Sequence, residues 1–342
     1  MKTFTAITLL FTSLFSASAA INSYSPALSV VPKQEGQVQA SLDILAFGDI
    51  MLSRYVRTLM DKHGKDYVFE HLDLSALEEG MDIVFANLEG PIHGQGTSGG
   101  EGMVFSFNRD IAPFLKEKGF TLLSLANNHA LDQGRNARDE TIQVLSENNL
   151  GWCGHPTEAD EWSVHYGKTA TGMSYAFVCF QDVTHKIDLE AAKALIAQVN
   201  PTVDIVVVSP HWGQEYQLTN NARQQELAHA FVESGADLII GHHPHVVQNV
   251  EVYQGVPIFY SLGNFVFDQY WDAEPQKELG LKLHITAAEY QIELLPMKSE
   301  KSQSRLMTDE EKSVWVEDFL KHGNYDEAMQ QMIRQFKIVV KR

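Results

Sequence analysis

Five apolar runs of strand length in this 342-residue chain end alike, and that repetition limits the fold more than any other feature. Leu42–Phe47 runs into Gly48-Asp49, Asp82–Ala86 into Asn87-Leu88-Glu89-Gly90, and Thr121–Leu125 into Ala126-Asn127-Asn128-His129. Asp204–Val208 runs into Ser209-Pro210-His211-Trp212-Gly213, and Asp237–Ile240 into Gly241-His242-His243-Pro244-His245. Each run delivers an Asp, Glu, Asn or His where it stops, usually beside a glycine. Continuous β-branched runs suit strands buried on both faces. Around these runs, and a sixth at Ser174–Phe180, lie stretches with helical spacing: Ser53–Lys62, Asp110–Lys118, Asn136–Asn148, Leu189–Gln198 and Asn220–Ser234. The alternation predicts an α/β fold with buried sheets. Open α/β sheets bind ligands beyond the carboxyl ends of their strands, so the five polar termini are expected to converge.

Singly, each terminus has an ordinary explanation. Asp49 suits a cap for the helix starting near Ser53, Asn128 a turn, His211 a hydrogen-bonded strand end, and Arg54 a solvated helix face. Their joint placement on successive strand ends favours a site instead. Carboxylates with imidazoles are the ligands of a hard-to-borderline divalent ion such as Mn, Zn or Fe. Glu89 as a bridging carboxylate suits two ions about 3.5–4 Å apart, so one or two ions are expected. In an extended segment residues two apart face the same way, so His243 and His245 are expected to address one centre, with Pro244 holding the extension and His242 pointing elsewhere.

The rest of the chain sets the boundaries. Lys2, an apolar stretch Phe4–Phe15 and small residues Ser16–Ala20 read as a signal peptide over 1–20, followed by a polar linker over 21–40. The mature protein is therefore expected to be exported, periplasmic or extracellular, and soluble. Val250–Leu295 alternates in the manner of antiparallel strands, closing a domain over 41–295. An acidic helical pattern at Asp309–His322 marks 296–342 as a helical extension, and Gly94–Gly102 reads as a loop bordering the site. The net charge of −18 argues against nucleic acid, which needs clustered Lys and Arg. Cys153 and Cys179 leave a disulfide and two buried thiols equally open.

Six segments carry a family resemblance: G-D-I-M-L-S-R (48–54), A-N-L-E-G-P-I (86–92), G-F-T-L-L-S-L-A-N-N-H-A-L-D-Q-G (119–134), H-W-G-Q-E-Y (211–216), G-A-D-L-I-I-G-H-H-P-H-V-V-Q (235–248) and I-F-Y-S-L-G-N-F-V-F-D (258–268). In this order they resemble the CapA-type proteins of poly-γ-glutamate capsule synthesis, a branch similar to calcineurin-like metallophosphoesterases. The resemblance implies a layered sandwich of two β-sheets flanked by helices, with antiparallel C-terminal strands. It makes Asp49, Glu89, Asn128, His211, His243 and His245 metal ligands and His129 the acid that protonates a leaving oxygen. Asp132, Glu215, His242, Asn264 and Asp268 would orient those groups, and Arg54 would hold a phosphate or carboxylate oxygen. The superfamily's first motif is Asp-x-His, whereas Asp49-Ile50-Met51 stands here, and Glu89 stands where Asp is usual. The implied role is handling an anionic capsule polymer, in company with a membrane-bound capsule synthesis complex. The alternatives are a periplasmic phosphoesterase acting on a phosphate-containing small molecule, a γ-glutamyl hydrolase, and a non-catalytic polymer-binding module.

Overall fold

The alternation inside β1 (Ser41–Ile50) explains the layering of the whole molecule. Leu42, Ile44 and Ala46 enter one apolar cluster, while Leu45 and Phe47 enter another on the opposite face. The computed structural model describes residues 39–94 and 103–342, forming one compact unit. The expected signal peptide, nearly all of the expected linker and residues 95–102 of the glycine-rich stretch lie outside the described residues.

After β1 come α1 (Arg54–His63), α2 (Leu74–Glu78), β2 (Ile83–Leu88), α3 (Ile111–Glu117), β3 (Leu122–Ser124), α4 (Gly134–Glu147) and β4 (Gly151–Cys153). The next group is β5 (Val164–Lys168), β6 (Ser174–Gln181), α5 (Leu189–Val199), β7 (Ile205–His211), α6 (Ala222–Glu233), β8 (Leu238–Ile240), β9 (Val250–Tyr253) and β10 (Val256–Phe259). The chain ends with β11 (Asn264–Val266), β12 (Lys277–Thr286), β13 (Glu289–Glu300), β14 (Gln303–Leu306), α7 (Asp309–Phe319), α8 (Glu327–Arg334) and β15 (Lys337–Lys341).

The larger sheet has the order β14-β13-β12-β1-β2-β3-β4, with β11 also on β1 and β15 also on β13. The smaller has the order β5-β6-β7-β8-β10-β9. Parallel pairing runs from β1 to β4 and from β6 through β8 to β10, with antiparallel partners at the margins. One core lies between the sheets, where Ile44 and Phe85 share a cluster with Phe177 and Val207. Outside the larger sheet pack α1, α3 and α4 through Val56, Phe114 and Leu145. Outside the smaller pack α5 and α6 through Ile196 and Phe231. The expected pair of helix-flanked sheets is therefore what the chain forms.

Local chemistry agrees with these elements. Asp188 caps α5 by accepting from the Glu190 and Ala191 amides at 3.0 and 3.1 Å. Asn221 and Gln224 form a reciprocal capping box at the start of α6. Cys153 on β4 and Cys179 on β6 are joined by a disulfide that ties the two sheets across their shared core. This decides between the two cysteine readings left open above.

The segment 296–342 differs from the helical extension expected. β13 runs through Pro296 to Glu300, and both β14 and β15 pair with it, so the tail contributes strands as well as α7 and α8. Lys337–Lys341 is too short a run to reveal its partner, which only the exposed edge of β13 supplies.

Candidate metal centre

Two glycines make the convergence of strand ends possible. A Cβ on Gly48 would lie 1.9 Å from the Gly263 carbonyl oxygen, so only glycine lets β11 close against β1 beside Asp49. A Cβ on Gly241 would lie 2.2 Å from the Tyr260 carbonyl oxygen, at the point where β8 releases the histidine segment. An isolated bridge between His211 and His242 then links the end of β7 to that segment.

The histidine segment is not extended. His243 has φ 97° and His245 φ 58°, both left-handed. The expected alternation about Pro244 therefore does not operate. A turn presents the rings instead, held by the His243 amide donating to Asp49 Oδ2 at 3.3 Å. The ring centroids of His243 and His245 are 5.7 Å apart, and those of His211 and His243 4.9 Å apart.

Asp49 and Glu89 form the acidic heart of the site, and both are fully buried. Asp49 Oδ1 accepts from Asn87 Nδ2 at 2.8 Å, and the Nδ1 atoms of His242 and His245 each lie 3.4 Å from its carboxylate. Burial opposes ionisation of Asp49, but these imidazoles outweigh it and hold the carboxyl well below its ordinary value. Glu89 has the opposite balance. Burial pushes its carboxyl well above the usual range, with Asp49 and Glu215 adding repulsion and only His245 and Arg54 opposing. Its Oε1 has no hydrogen-bond partner among the described residues, lying 3.7 Å from His245 Nε2 and 3.9 Å from His129 Nε2.

His245 is oriented from behind. Its Nδ1 donates to Asn264 Oδ1 at 2.9 Å, and Asn264 is itself fixed by donating from Nδ2 to Gln269 Oε1 and Pro275 O, each at 3.0 Å. Nε2 is thereby left to face Glu89, the arrangement typical of a metal-binding histidine. Burial disfavours charge on His245, but the Glu89 and Asp49 carboxylates prevail and raise it to about 9. His243 has no such partner: burial and the charge of His245 lower it to about 3, and its Nδ1 makes no hydrogen bond.

His211 and Asn128 are brought to the site but satisfy each other. His211 Nε2 donates to Asn128 Oδ1 at 2.8 Å while its Nδ1 faces the Asn87 amide at 3.3 Å. Burial and the charge of His243 hold His211 well below its ordinary value. His129 stacks on Phe105 at 4.0 Å and donates from Nδ1 to Asp132 Oδ2 at 2.8 Å. Arg54 lies 5.1 Å above Phe105 and 5.5 Å above Phe267, paired with Asp268. Glu215, half-buried, approaches His243 and His245. His242 is buried with neither ring nitrogen hydrogen-bonded.

Among the described residues, two groups have donor atoms within 4.8 Å of one another: Asp49, Glu89 and His245, and Glu215, His243 and His245. The first group suits a divalent ion. One of its two buried carboxylates, Glu89, has an unpartnered oxygen, and a bound cation would offset the cost of burying carboxylate charge there. A hollow of about 760 Å³ against α8 and β15 contains none of these side chains, so converging polar groups rather than volume mark the site.

Three contributors escaped the sequence reading. Asn87 ties Asp49, Glu89 and His211 together, and Asn127 donates to Asn87 Oδ1 at 3.1 Å. Asn87 stands on β2 two residues before Glu89, which lies just past the strand's end, and its Nδ2 reaches Glu89 Oε2 at 3.4 Å. Phe105, which covers His129, lies far from any strand end and carries no comparable signal.

The family model described as "Bacterial capsule synthesis protein PGA_cap" matches residues 43–269. The PGA biosynthesis protein CapA of Bacillus subtilis (strain 168) is 36% identical over 241 residues, 66% of this chain and 63% of that one. The capsule biosynthesis protein CapA of Bacillus anthracis is 35% identical over 252 residues, 67% of this chain and 61% of that one. The chain thus spans less than two thirds of the length of these curated relatives. The crystal structure of 5'-nucleotidase from Candida albicans SC5314 superposes with a TM-score of 0.42 at 12% identity, covering 87% of this chain and 57% of that one.

Proposed function

The chain belongs to the bacterial capsule synthesis protein family PGA_cap, and from that premise we propose that it handles an anionic capsule polymer, poly-γ-glutamate, at a divalent-metal site. One observation carries the reading: buried Asp49, Glu89 and His245 converge, with Glu89 Oε1 unpartnered. Their mixed carboxylate and imidazole donors fit Mn, Zn or Fe, as one ion or two, with Asn128, His211 and His243 as further ligands. Such an ion, once bound, polarises a phosphoryl or carbonyl oxygen and lowers the pKa of a water toward neutrality.

The chain's own groups would do the rest. Asp132 keeps the proton of His129 on Nδ1, leaving Nε2 to hold or deliver a proton beside Glu89. Phe105 and Phe267 fix the plane of the Arg54 guanidinium, which would grip an anionic oxygen. With a net charge of −18, long-range attraction does not bring a polyanion in, so Arg54 and the bound ion must supply local positive charge. Work outside the cytoplasmic membrane fits the N-terminal composition and the Cys153–Cys179 disulfide, since disulfides persist in oxidising compartments. A membrane-bound capsule synthesis complex is the partner this reading calls for.

The His129–Asp132 pair favours one alternative, a metal-dependent phosphoesterase or γ-glutamyl hydrolase. Met51 favours another, a polymer-binding module without chemistry. It stands where an imidazole is usual, fully buried, its sulfur 3.2 Å from the Ser53 amide.

Deleting the gene should change the amount or length of surface polymer, and wild type but not His245→Ala should restore it. Unchanged polymer would remove the capsule role. Turnover of a phosphate ester or γ-glutamyl polymer that is lost in His129→Ala selects the hydrolase reading, and polymer binding without turnover selects the binding module.

A further inference from the structure

The loop after β7 is folded directly onto the histidine turn. The Tyr216 amide donates to the Pro244 carbonyl at 2.8 Å, and the Tyr216 hydroxyl accepts from Gln269 Nε2 at 3.2 Å. Tyr216 has φ 62°, a conformation that costs a bulky residue free energy and persists only where its surroundings impose it. Among the described residues nine non-glycine positions have positive φ, and Arg54, Tyr216, His243 and His245 all surround this one site. That concentration points to a backbone shaped for placing side chains.

What the loop places is Glu215. Its carboxylate, a ring nitrogen of His243 and a ring nitrogen of His245 lie within 4.8 Å of one another. His243 is only 4% exposed, and its Nδ1 has no hydrogen-bond partner. His245 Nδ1 is already committed to Asn264, so Nε2 is the nitrogen it can offer. A half-exposed carboxylate on a loop has no need of this placement if solvation is its only role.

We propose that Glu215 is a direct ligand of a divalent cation, forming with His243 a second cation position beside the one at Asp49, Glu89 and His245. The inference rests on the reading that the cleft binds a divalent cation. Both donor groups draw on His245, and a single Nε2 lone pair serves one ion at a time. An ion near Glu215 therefore relies on the Glu215 carboxylate and the free His243 imidazole. The position joins a harder oxygen donor with a borderline nitrogen donor, a set suited to Mn2+ or Zn2+.

The test is Mn2+ titration calorimetry on the full mature chain, comparing wild type with Glu215→Gln and Glu89→Gln, at about 0.1 M and about 0.5 M salt. Glu215→Gln keeps size and hydrogen-bonding capacity while removing the carboxylate. The expected result is loss of one Mn2+ equivalent, or affinity about tenfold or more weaker, at both salt concentrations. Thermal unfolding of the metal-free variant should match wild type, which separates ligand loss from misfolding. Should the substitution itself unfold the loop, Glu215→Ala, which also removes the carboxylate, gives the same comparison. Wild-type stoichiometry and affinity in Glu215→Gln would overturn the inference while leaving the metal reading intact. So would a loss that disappears at high salt, because a through-space charge effect at this half-exposed position is screened and a lost ligand is not. No Mn2+ or Zn2+ binding by wild type would overturn both.

Discussion

His129 and Asp132 stand one helical turn apart in sequence and are joined through Nδ1 and Oδ2 at 2.8 Å. The same Oδ2 accepts the Phe105 amide at 2.6 Å, so one oxygen orients both the imidazole and the ring stacked on it. Asp132→Ala therefore leaves two donors unpaired and His129 free to change tautomer. Turnover should fall about 10²-fold on whichever phosphate ester or γ-glutamyl polymer the wild type cleaves. Asp132→Asn retains an accepting oxygen and should lie between the two. Bound metal, measured by elemental analysis, should be unchanged in both variants. Equal turnover in all three proteins would mean that His129 transfers no proton.

Asn264 governs a different step, since it decides which nitrogen of His245 faces the carboxylates. Replacing it with alanine removes the acceptor for Nδ1 and lets the ring rotate or exchange tautomer. Metal affinity should drop about 10–100-fold, as for other groups that orient a ligand from behind. Calorimetric titration with Zn2+ is the measurement, and an unchanged dissociation constant would show that the turn alone orients His245.

Much of this candidate site is legible in the sequence because strand ends in α/β sheets carry the chemistry, and Asp49, Glu89, His211 and His245 all follow apolar runs. The helices α1 and α3 to α6 were likewise visible in their 3.6-residue spacing. Other features depended on distant backbone. The left-handed turns at His243 and His245 require β11 and the Tyr216 loop against them, and X-Pro statistics favour extension before Pro244. Asn87 was within reach of the strand-end argument, whereas Phe105 and β15 owe their places to contacts with partners more than 20 residues away in sequence.

The disulfide joins residues separated by 26 positions on two different sheets. Closing a loop of that length removes entropy from the unfolded chain worth about 3.5 kcal/mol at room temperature. The Cys153→Ala/Cys179→Ala double variant should lose stability of that order in urea denaturation. A reducing agent should lower the wild type toward the variant and leave the variant itself unmoved. A wild type insensitive to reduction, with a variant equally stable, would mean that the cross-link contributes nothing to folding.

Glu278 gives a pH-dependent prediction away from the metal site. It lies on β12, fully buried, with Ser304 Oγ donating to Oε1 at 3.2 Å and Oε2 left without a partner. Burial pushes its carboxyl well above the ordinary value of 4.5. The folded protein therefore keeps a proton that the unfolded chain releases. Its contribution to stability is fully present below about pH 4.5 and declines as pH rises, until the folded-state value is passed. Each unit of upward displacement is worth about 1.4 kcal/mol. Glu278→Gln has the same shape, stays neutral and still offers an oxygen to Ser304. It should match the wild type near pH 4.5 and exceed it by about 1.4 kcal/mol or more at pH 8. Chemical denaturation across that range measures the gap, and a gap that stays constant with pH would show that Glu278 does not carry the buried proton.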